Sequence, residues 1–177
     1  MSYFALFIFL FQMSQPAIVT DLPNSPGVYY RQADKNWIAL QKAPVSRTKT
    51  KGLDLFAETG GYTNLGVDVV CEGAKASTRI PAPKPRFYVR GLEPSEDVTL
   101  VRLSQKENSR TFHISSGNAN VENKQGFRKA DIRKVVVSKY PDGIFSVTPE
   151  SDLRPGEYLL VIGSPENSFD FGIDRKK

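Results

Sequence analysis

Apolar residues recur along this chain in short runs with a period of two, and the segment Arg86–Leu103 shows the pattern most clearly. Within it, Phe87–Val89 and Val98–Leu103 are apolar, and an acidic, turn-rich stretch separates them. Short alternating runs bounded by turn residues are typical of β-strands. The pattern therefore predicts two paired strands at the centre of an all-β domain.

The second of these runs changes face part-way along its length. Val98 and Leu100 share one face of a strand, whereas Val101 and Leu103 fall on the opposite face. Such a switch indicates either a strand covered on both faces or a bulge that turns the side chains over. Both alternatives place this strand near the middle of a sandwich.

The N-terminal half contains a clear hairpin signal. The runs Val28–Arg31 and Trp37–Leu40 flank an Asp-Lys-Asn turn. Aromatic and β-branched residues on both sides of a short polar turn are typical of a β-hairpin. We therefore predict a hairpin here, with Trp37 as an anchor in the core.

The C-terminal part repeats this logic. We predict a strand over Ile132–Tyr140, a turn at Pro141–Gly143 and a returning strand at Ile144–Val147. The strongly apolar run Gly156–Ile162 predicts a central strand, and Phe169–Ile173 is expected to close the sheet.

Proline and cation patterns mark the borders of the predicted sheets. A short strand over Ser77–Ile80 ends at alternating prolines, which predict a stiff, extended crossover between two sheets. The segment Ala43–Gly66 predicts an edge strand followed by a long loop, with one helical turn over Leu53–Glu58. Alternating cations would protect such an edge from pairing with other chains. The prolines are Pro81, Pro83 and Pro85, and the cations are Arg47, Lys49 and Lys51.

About eleven short strands with frequent turns and little helical periodicity predict an all-β fold, an antiparallel β-sandwich, with a β-barrel as the alternative. The length of 177 residues suits one such domain, which we place at residues 18–177. The segments Pro26–Tyr29, Pro155–Tyr158 and Asp142–Phe145 resemble one another, but this resemblance is too generic to indicate an internal repeat. The polar stretch Ser115–Gly126 predicts a loop.

The first residues have the character of a targeting signal. Tyr3–Phe11 is almost wholly apolar, about as long as the core of a signal peptide and too short to cross a bilayer as a helix. We predict a leader over residues 1–17, with Ser14 or Ala17 as its last residue, although no Lys or Arg precedes the apolar run. The alternative is a buried N-terminal strand or helix. Export to the periplasm or the cell exterior follows from the first interpretation, and no later segment approaches the length of a membrane span.

Few residues suit nucleophilic or metal chemistry. The chain has one cysteine, Cys71, and one histidine, His113, so zinc sites that need several such ligands are excluded. No nucleophile elbow, phosphate-binding glycine loop or dinucleotide fingerprint is present. A Cys71–His113 dyad is the one nucleophilic pair available. We expect Cys71 to be a buried, inert strand residue and His113 to face solvent, which would keep the two apart.

One acidic cluster is a candidate site. Glu93, Glu96 and Asp97 lie together in the turn before the central strand, where they could bind calcium or supply the carboxylate pair of a glycosidase. Their spacing matches no calcium loop, and turn chemistry already favours acidic residues. We therefore favour a solvated turn.

The chain is basic, with a net charge of +5 and a pI of about 9.3. This charge favours anionic glycans, lipid headgroups or acidic proteins as partners. Nucleic acid is not expected, because the cations are spread over several strands and no recognition motif is present. The basic clusters are Arg47-Lys49-Lys51, Lys84-Arg86-Arg90 and Lys124-Arg128-Lys129-Arg133-Lys134.

Several of these strand and turn motifs together resemble a group of small exported bacterial proteins of uncharacterised function. The resemblance implies a β-sandwich fold and a location in the bacterial envelope, and it brings no catalytic residue with it. The motifs are Pro26–Tyr29, Pro85–Val89, Leu100–Leu103, Pro155–Tyr158 and Asp170–Ile173.

The sequence therefore predicts an exported, non-enzymatic binding module of the envelope, with a protein or an anionic glycan as its partner. Sheet edges or the loop Ser115–Gly126 would provide the contact. We assign no catalytic residue, no metal ligand and no cofactor. The alternative is an envelope glycan hydrolase that uses Glu93, Glu96 or Asp97.

Overall fold

Strands dominate the computed structural model, which describes residues 21–51, 66–92, 97–115 and 126–174. The first seven strands are β1 Gly27–Arg31, β2 Trp37–Ala39, β3 Val45–Lys51, β4 Gly66–Glu72, β5 Arg79–Ile80, β6 Phe87–Arg90 and β7 Val98–Arg102. The next seven are β8 Ser104–Gln105, β9 Ser109–Ser115, β10 Ile132–Arg133, β11 Val135–Lys139, β12 Phe145–Pro149, β13 Gly156–Ile162 and β14 Ser164–Ile173. The predicted all-β fold is confirmed.

These strands form three sheets. The first sheet has the order β11-β12-β6-β1-β2, the middle sheet β10-β7-β13-β14-β5, and the third sheet β3-β4-β9-β8. Among the described residues, none of these sheets closes on itself, so the sandwich is adopted and the barrel alternative is not. The pairing is antiparallel as predicted, except that β5 runs parallel to β14.

Two hydrophobic cores separate three layers. The first core contains Val28, Phe87 and Val89 from the first sheet together with Leu160 and other residues of the middle sheet. The second core joins the opposite face of the middle sheet to the third sheet, through residues such as Phe112. The middle sheet is therefore covered on both of its faces.

The double coverage explains the switch of face in the central strand. Leu100 of β7 lies in the first core, whereas Val101 and Leu103 lie in the second. β13 shows the same pattern, because Leu160 belongs to the first core and Leu159 to the second. Burying each such aliphatic side chain contributes roughly 1.5 to 3 kcal/mol. The predicted strand covered on both faces is confirmed, and so is the central position of β13.

One strand pairing was predicted wrongly. β6 and β7 do not pair with each other: β6 lies between β12 and β1 in the first sheet, and β7 lies between β10 and β13 in the middle sheet. The two strands face the same core from opposite sides. Phe87 of β6, for example, reaches across to Phe171 of the middle sheet, with 4.8 Å between the ring centroids. Alternation of apolar residues reports burial, and it does not report which sheet a strand joins.

The predicted strand Ile132–Tyr140 is also divided between sheets. β10 pairs with β7 in the middle sheet, and after Lys134 the chain continues as β11, which pairs with β12 in the first sheet. The proline-rich crossover after β5 does pass from the middle sheet to the first, as predicted. Both segments connect the same two layers.

The predicted hairpins and edge strand are present. β1 pairs with β2 around a turn in which Lys35 has a φ of 71°, and β11 pairs with β12 around Asp142 and Gly143, whose φ values are 62° and 68°. Two successive positive φ values are characteristic of the type I′ turn that matches the twist of a hairpin. β3 forms an edge of the third sheet.

The two Pro-Gly-x-Tyr segments share a physical role. The Tyr29 hydroxyl donates to the Ser25 carbonyl at 2.8 Å, and the Tyr158 hydroxyl donates to the Arg154 carbonyl at 2.6 Å. Each tyrosine thus ties the start of its strand to the residue four positions earlier, as in the tyrosine corner of β-sandwiches. At Gly27 a Cβ would lie 3.3 Å from the Tyr29 hydroxyl, so glycine gives the ring room to fold back.

A buried carboxylate connects three strands of the middle sheet. Glu157 of β13 is 2% exposed, and its two oxygens accept from the Ala76 N–H at 2.7 Å and from Arg79 Nη1 at 2.6 Å. Arg79 lies on β5 and reaches Glu157 across Gly172 of β14, where a Cβ would collide with the guanidinium. Arg79 also donates to Asp174 at 2.6 Å. Glycine at position 172 therefore provides the passage that this ion pair needs.

A second buried ion pair connects the middle and third sheets. Arg110 of β9 is 1% exposed and donates to the carboxylate of Asp170 on β14. Its other two guanidinium nitrogens also donate, Nε to the Gly73 carbonyl at 3.0 Å and Nη2 to the Glu72 carbonyl at 2.7 Å. A buried charge is tolerated when it is paired and its other hydrogen-bonding groups are satisfied.

Several predictions concern residues outside the described ranges. These are the leader over residues 1–17, the helical turn Leu53–Glu58 and nearly all of the loop Ser115–Gly126. The single-domain assignment to residues 18–177 also stays a prediction. Among the described residues, no helix has both the length and the hydropathy of a membrane span.

Replacing Gly172 by alanine is expected to destabilise the protein. The backbone of Gly172 is not left-handed, so the effect arises from the collision of the new Cβ with the Arg79 guanidinium. Displacing Arg79 leaves the buried Glu157 without its cation, and we expect the free energy of unfolding to fall by about 2 to 3 kcal/mol. Urea unfolding of the wild type and of Gly172→Ala measures the loss.

The matched control is the same substitution in an Arg79→Ala background. There the new methyl group meets no guanidinium, so Gly172→Ala should cost less than about 1 kcal/mol. If Gly172→Ala lowers the free energy of unfolding equally in the two backgrounds, its collision with the Arg79 guanidinium is not the cause of the destabilisation.

Candidate functional site

The outward face of the first sheet carries polar and aromatic side chains together with one small buried cluster, Leu22, Tyr29 and Ile144. Cross-strand partners share a face, and Tyr29, Tyr88 and Ser146 are partners across β1, β6 and β12. Phe87 and Val89, which alternate with Tyr88, point into the first core. Period-two alternation thus separates the structural face from the face available to a ligand.

An open cleft of about 620 Å³ lies at one end of this face. Three cations line it: Arg31 at the end of β1, and Lys84 and Arg86 just before β6. Tyr88 and Thr148 contribute a ring and a hydroxyl group to the same cleft. Its lining therefore combines positive charge, aromatic surface and hydrogen-bonding groups.

A second cleft of about 310 Å³ adjoins the first and shares Lys84, Arg86 and Thr148 with it. It adds the hydroxyl-bearing side chains Ser138, Ser146 and Tyr140, and one acidic residue, Glu150. We call the two together the cationic cleft. Lys84 and Arg86 stand on the wall between its two parts, where they are accessible from both.

Local sequence explains why both cations face outward. Pro85 and Phe87 are buried, while Lys84 and Arg86, the residues that alternate with them, are exposed. Pro85 restricts the backbone of this segment, and Lys84 Nζ donates to the Glu150 carbonyl at 2.8 Å. The segment therefore presents both cations on the outward face, and the hydrogen bond to Glu150 positions the Lys84 ammonium group.

Arg31 is positioned by two contacts. It forms an ion pair with Asp21 at 2.6 Å, and its guanidinium carbon lies 5.2 Å from the centre of the Trp37 ring. A cation within about 6 Å of an aromatic ring face is attracted to it. The prediction that Trp37 anchors the core is therefore met only in part. Trp37 is half-buried and packs against a small hydrophobic cluster on the outward face of the first sheet, where it also contacts Arg31, and it belongs to neither of the two main cores.

The aromatic rings behind the cations form a connected group. Trp37 meets Tyr88 edge to face at 5.3 Å, and Tyr88 contacts Tyr140 at 6.0 Å between centroids. These partly buried rings pack on a small cluster of Leu22, Tyr29 and Ile144. Their mutual packing restricts rotation, so the floor of the cleft is preorganised.

A third cleft, of about 580 Å³, continues from the first on the other side of Tyr30 and Ala82. It is lined by Gln32 and Asp34 from the β1–β2 turn and by the proline connector at Pro81 and Pro83. Positive charge is thus concentrated in the cationic cleft, and the neighbouring cleft is neutral to acidic.

The predicted acidic candidates do not form a site within the described residues. Glu93 and Glu96 lie outside the described ranges. Asp97 is partly buried beside β7, and its carbonyl accepts a hydrogen bond from the Gly163 N–H at 3.1 Å. Among the residues that the structure describes, no cluster of His, Cys, Asp or Glu has the arrangement of a metal site.

The structure keeps Cys71 and His113 apart, as expected. Cys71 pairs across the strands with Arg110 and faces the second core, whereas His113 pairs with Asp68 and lies on the opposite face of the third sheet. His113 is less exposed than we predicted: its side chain is 15% exposed, and Nδ1 lies 2.7 Å from Asp68 Oδ1. A cross-strand carboxylate shields the imidazole, a long-range contact that local sequence does not reveal.

Sequence reasoning identified only part of the cationic cleft. Lys84 and Arg86 belong to a basic cluster visible in the sequence, and their alternation with Pro83 and Pro85 was a usable signal. Arg31 and the tyrosines were not connected to that cluster. Arg31 joins the cluster through the β1–β6 pairing, and Tyr140 joins it through the β11–β12 and β12–β6 pairings, none of which a local pattern specifies.

Cys71 is expected to be unreactive in the folded protein. Burial, opposed by the charge of Arg110 and reinforced by that of Asp170, raises the pKa of its thiol to about 11 from an ordinary value of 9.0. At pH 8, iodoacetamide should leave Cys71 of the folded protein unlabelled. In about 6 M guanidinium chloride, which unfolds the protein, it should label Cys71 rapidly. Mass spectrometry measures the labelled fraction, and rapid labelling without denaturant would contradict the assigned burial.

The same pKa fixes the direction of a pH effect. A pKa raised by folding means that the neutral thiol stabilises the folded state below about pH 9, and that this contribution is lost as the pH rises through about 11. A Cys71→Ala variant should therefore lose stability less steeply than the wild type over that interval.

Comparison of the chain with protein-family models, with curated proteins and with solved structures found no significant match in any of the three.

Proposed function

We propose that this protein is an exported, non-enzymatic binding module of the bacterial envelope and that it holds an anionic glycan in the cationic cleft. The observation that carries the proposal is the convergence of Arg31, Lys84 and Arg86 on one open cleft whose lining also offers hydroxyl groups and tyrosine rings. Export rests on the apolar run Tyr3–Phe11.

Each component of the cleft matches a part of such a ligand. Arginine and lysine bind carboxylate, sulfate or phosphate groups through charge-assisted hydrogen bonds. Ser138 and Thr148 supply hydroxyl groups that exchange hydrogen bonds with sugar hydroxyls. The partly exposed Tyr88 and Tyr140 rings offer apolar surface for the carbon-bound hydrogens of a sugar.

The lining favours binding over hydrolysis. Glycosidases of the common types place two carboxyl groups on either side of the scissile bond. Among the described residues that line the cationic cleft, Glu150 is the one carboxylate. Hydrolysis by Glu93, Glu96 or Asp97 stays a prediction from the sequence, and no contact of the described residues favours it.

Binding of an anionic glycan should depend on the charge of Lys84 and Arg86. We expect a heparin-derived hexasaccharide to bind the wild type, and the Lys84→Glu/Arg86→Glu variant to bind it at least about 10-fold more weakly, because an anionic group then meets like charges. Affinity should also fall as salt is raised, since exposed charges are screened beyond about 10 Å at 0.1 M ionic strength. Isothermal titration calorimetry measures both effects.

A Lys42→Glu/Lys106→Glu variant is the matched control. Its net charge changes by the same amount, but both exposed lysines lie outside the cationic cleft. If the two variants lose equal affinity, the interaction is a general charge effect. Equal binding of an uncharged cello-oligosaccharide of the same length would likewise refute the specificity for an anion.

The leader can be tested by expressing the full chain in a bacterial host. We expect a mature product beginning near Gln15 to Ile18 in the periplasmic fraction, because the apolar run has the length of a signal-peptide core. Intact-mass spectrometry of each fraction identifies the first residue. A full-length product in the cytoplasm would overturn export and leave the glycan-binding test unaffected.

A further inference from the structure

The strand β11 forms an edge of the first sheet and carries exposed apolar side chains. Val136 is 52% exposed and Val137 is 39% exposed, and the following Ser138 and Lys139 are also exposed. β12 pairs with one side of β11 along its whole length. Among the described residues, no strand pairs with its other side.

The hydrogen-bond pattern shows which backbone groups face outward. At one end the Glu150 N–H donates to the Lys134 carbonyl at 2.9 Å, and at the other the Tyr140 N–H donates to the Ile144 carbonyl at 2.8 Å. Hydrogen-bonded and non-hydrogen-bonded positions alternate along an antiparallel pair. The N–H and C=O groups of Val135, Val137 and Lys139 therefore point away from β12, as a row spaced to accept another strand.

The other described edges are shorter or carry more charge. β5, β8 and β10 have two residues each, and β2 has three. β3 is longer but carries a cation at every second position. Short strands and charged side chains protect edges from unwanted pairing. β11 has five residues, three consecutive valines, one cation at its last position and no bulge in its pairing, so its edge is less protected than the other described edges.

Charge at both ends of β11 indicates what kind of strand it accepts. Lys134 precedes the strand and Lys139 ends it, and both are exposed. A second copy of this chain, paired antiparallel, would bring Lys134 of each copy near Lys139 of the other at both ends of the pair, and like charges repel. A strand with acidic ends and β-branched residues between them would instead complement both the cations and the valines.

We propose that the β11 edge is a docking site for an extended, acidic segment of a partner protein, which adds to the first sheet as a further antiparallel strand. Main-chain hydrogen bonds to Val135, Val137 and Lys139 would supply affinity, and Lys134 and Lys139 would select acidic ends. This site borders the proposed glycan site, because Val136 and Ser138 of β11 also line the cationic cleft. It differs from the glycan site in using backbone groups at the sheet edge, and it does not depend on Arg31, Lys84 or Arg86.

The test uses the capped peptide EEVTVTVEE and its charge-reversed form KKVTVTVKK as probes for the whole mature protein. We expect the acidic peptide to bind and to slow hydrogen exchange at the Val137 and Lys139 amides, because an added strand would bond to these groups. The basic peptide should bind at least about 10-fold more weakly. Calorimetry and amide exchange followed by NMR provide the two readouts.

Two variants separate strand addition from other binding. Val137→Pro removes an outward N–H while leaving the hydrogen bonds to β12 in place, and it should abolish binding of the acidic peptide. Val137→Thr keeps that N–H and should bind the acidic peptide as the wild type does. Lys134→Glu/Lys139→Glu should reverse the preference between the two peptides, a result that does not depend on how well the proline variant folds.

Three outcomes would overturn the proposal. The first is unchanged preference for the acidic peptide in Lys134→Glu/Lys139→Glu. The second is loss of peptide binding in Lys84→Glu/Arg86→Glu, because that would assign the peptide to the cationic cleft. The third is a concentration-dependent dimer in analytical ultracentrifugation that Val137→Pro dissociates, because it would make a second copy of the chain the occupant of this edge.

Discussion

Burial of the middle sheet on both faces is the constraint on which the rest of this structure depends. A strand covered on both sides has no solvent-facing position for a polar side chain, yet β13 carries Glu157 and β14 carries Asp170. Each of these carboxylates is buried and each is paired with an arginine, Arg79 or Arg110. Removing one partner of such a pair costs more than the pair contributes, because it leaves an unpaired charge in a poorly solvated interior.

The two ion pairs lie in different parts of the stack. Arg110 comes from the third sheet, so its pair with Asp170 joins the two layers that enclose the second core. Arg79 comes from the middle sheet itself, and its passage across Gly172 is compatible with one alignment of β5 on β14. The Arg110–Asp170 pair therefore relates two sheets, and the Arg79–Glu157 pair relates β5 to β13 across the intervening β14.

The predictions from sequence succeeded where burial alone decides the pattern. The change of face between Leu100 and Val101 indicated a strand covered on both sides, and the structure has it. They failed where partners are distant in sequence. Sheet topology places β6 and β7 in different sheets, so they do not pair with each other, and it also determines where Trp37 and His113 lie. The buried Glu157, Asp170 and Arg110 could not be recognised either, because a charged residue in an alternating run is usually solvent-facing.

The stacking order also determines where function can reside. With both faces of the middle sheet covered, the outward face of the first sheet stays open at the end where β1 and β6 bring Arg31 and Arg86 to the same cleft. The opposite face of that sheet is fixed by the first core, so the cations stand on a rigid support and little ordering remains to oppose binding. A cleft on such a support, with three cations among its described lining residues, is suited to holding an anion, and the proposed binding of an anionic glycan rests on this feature.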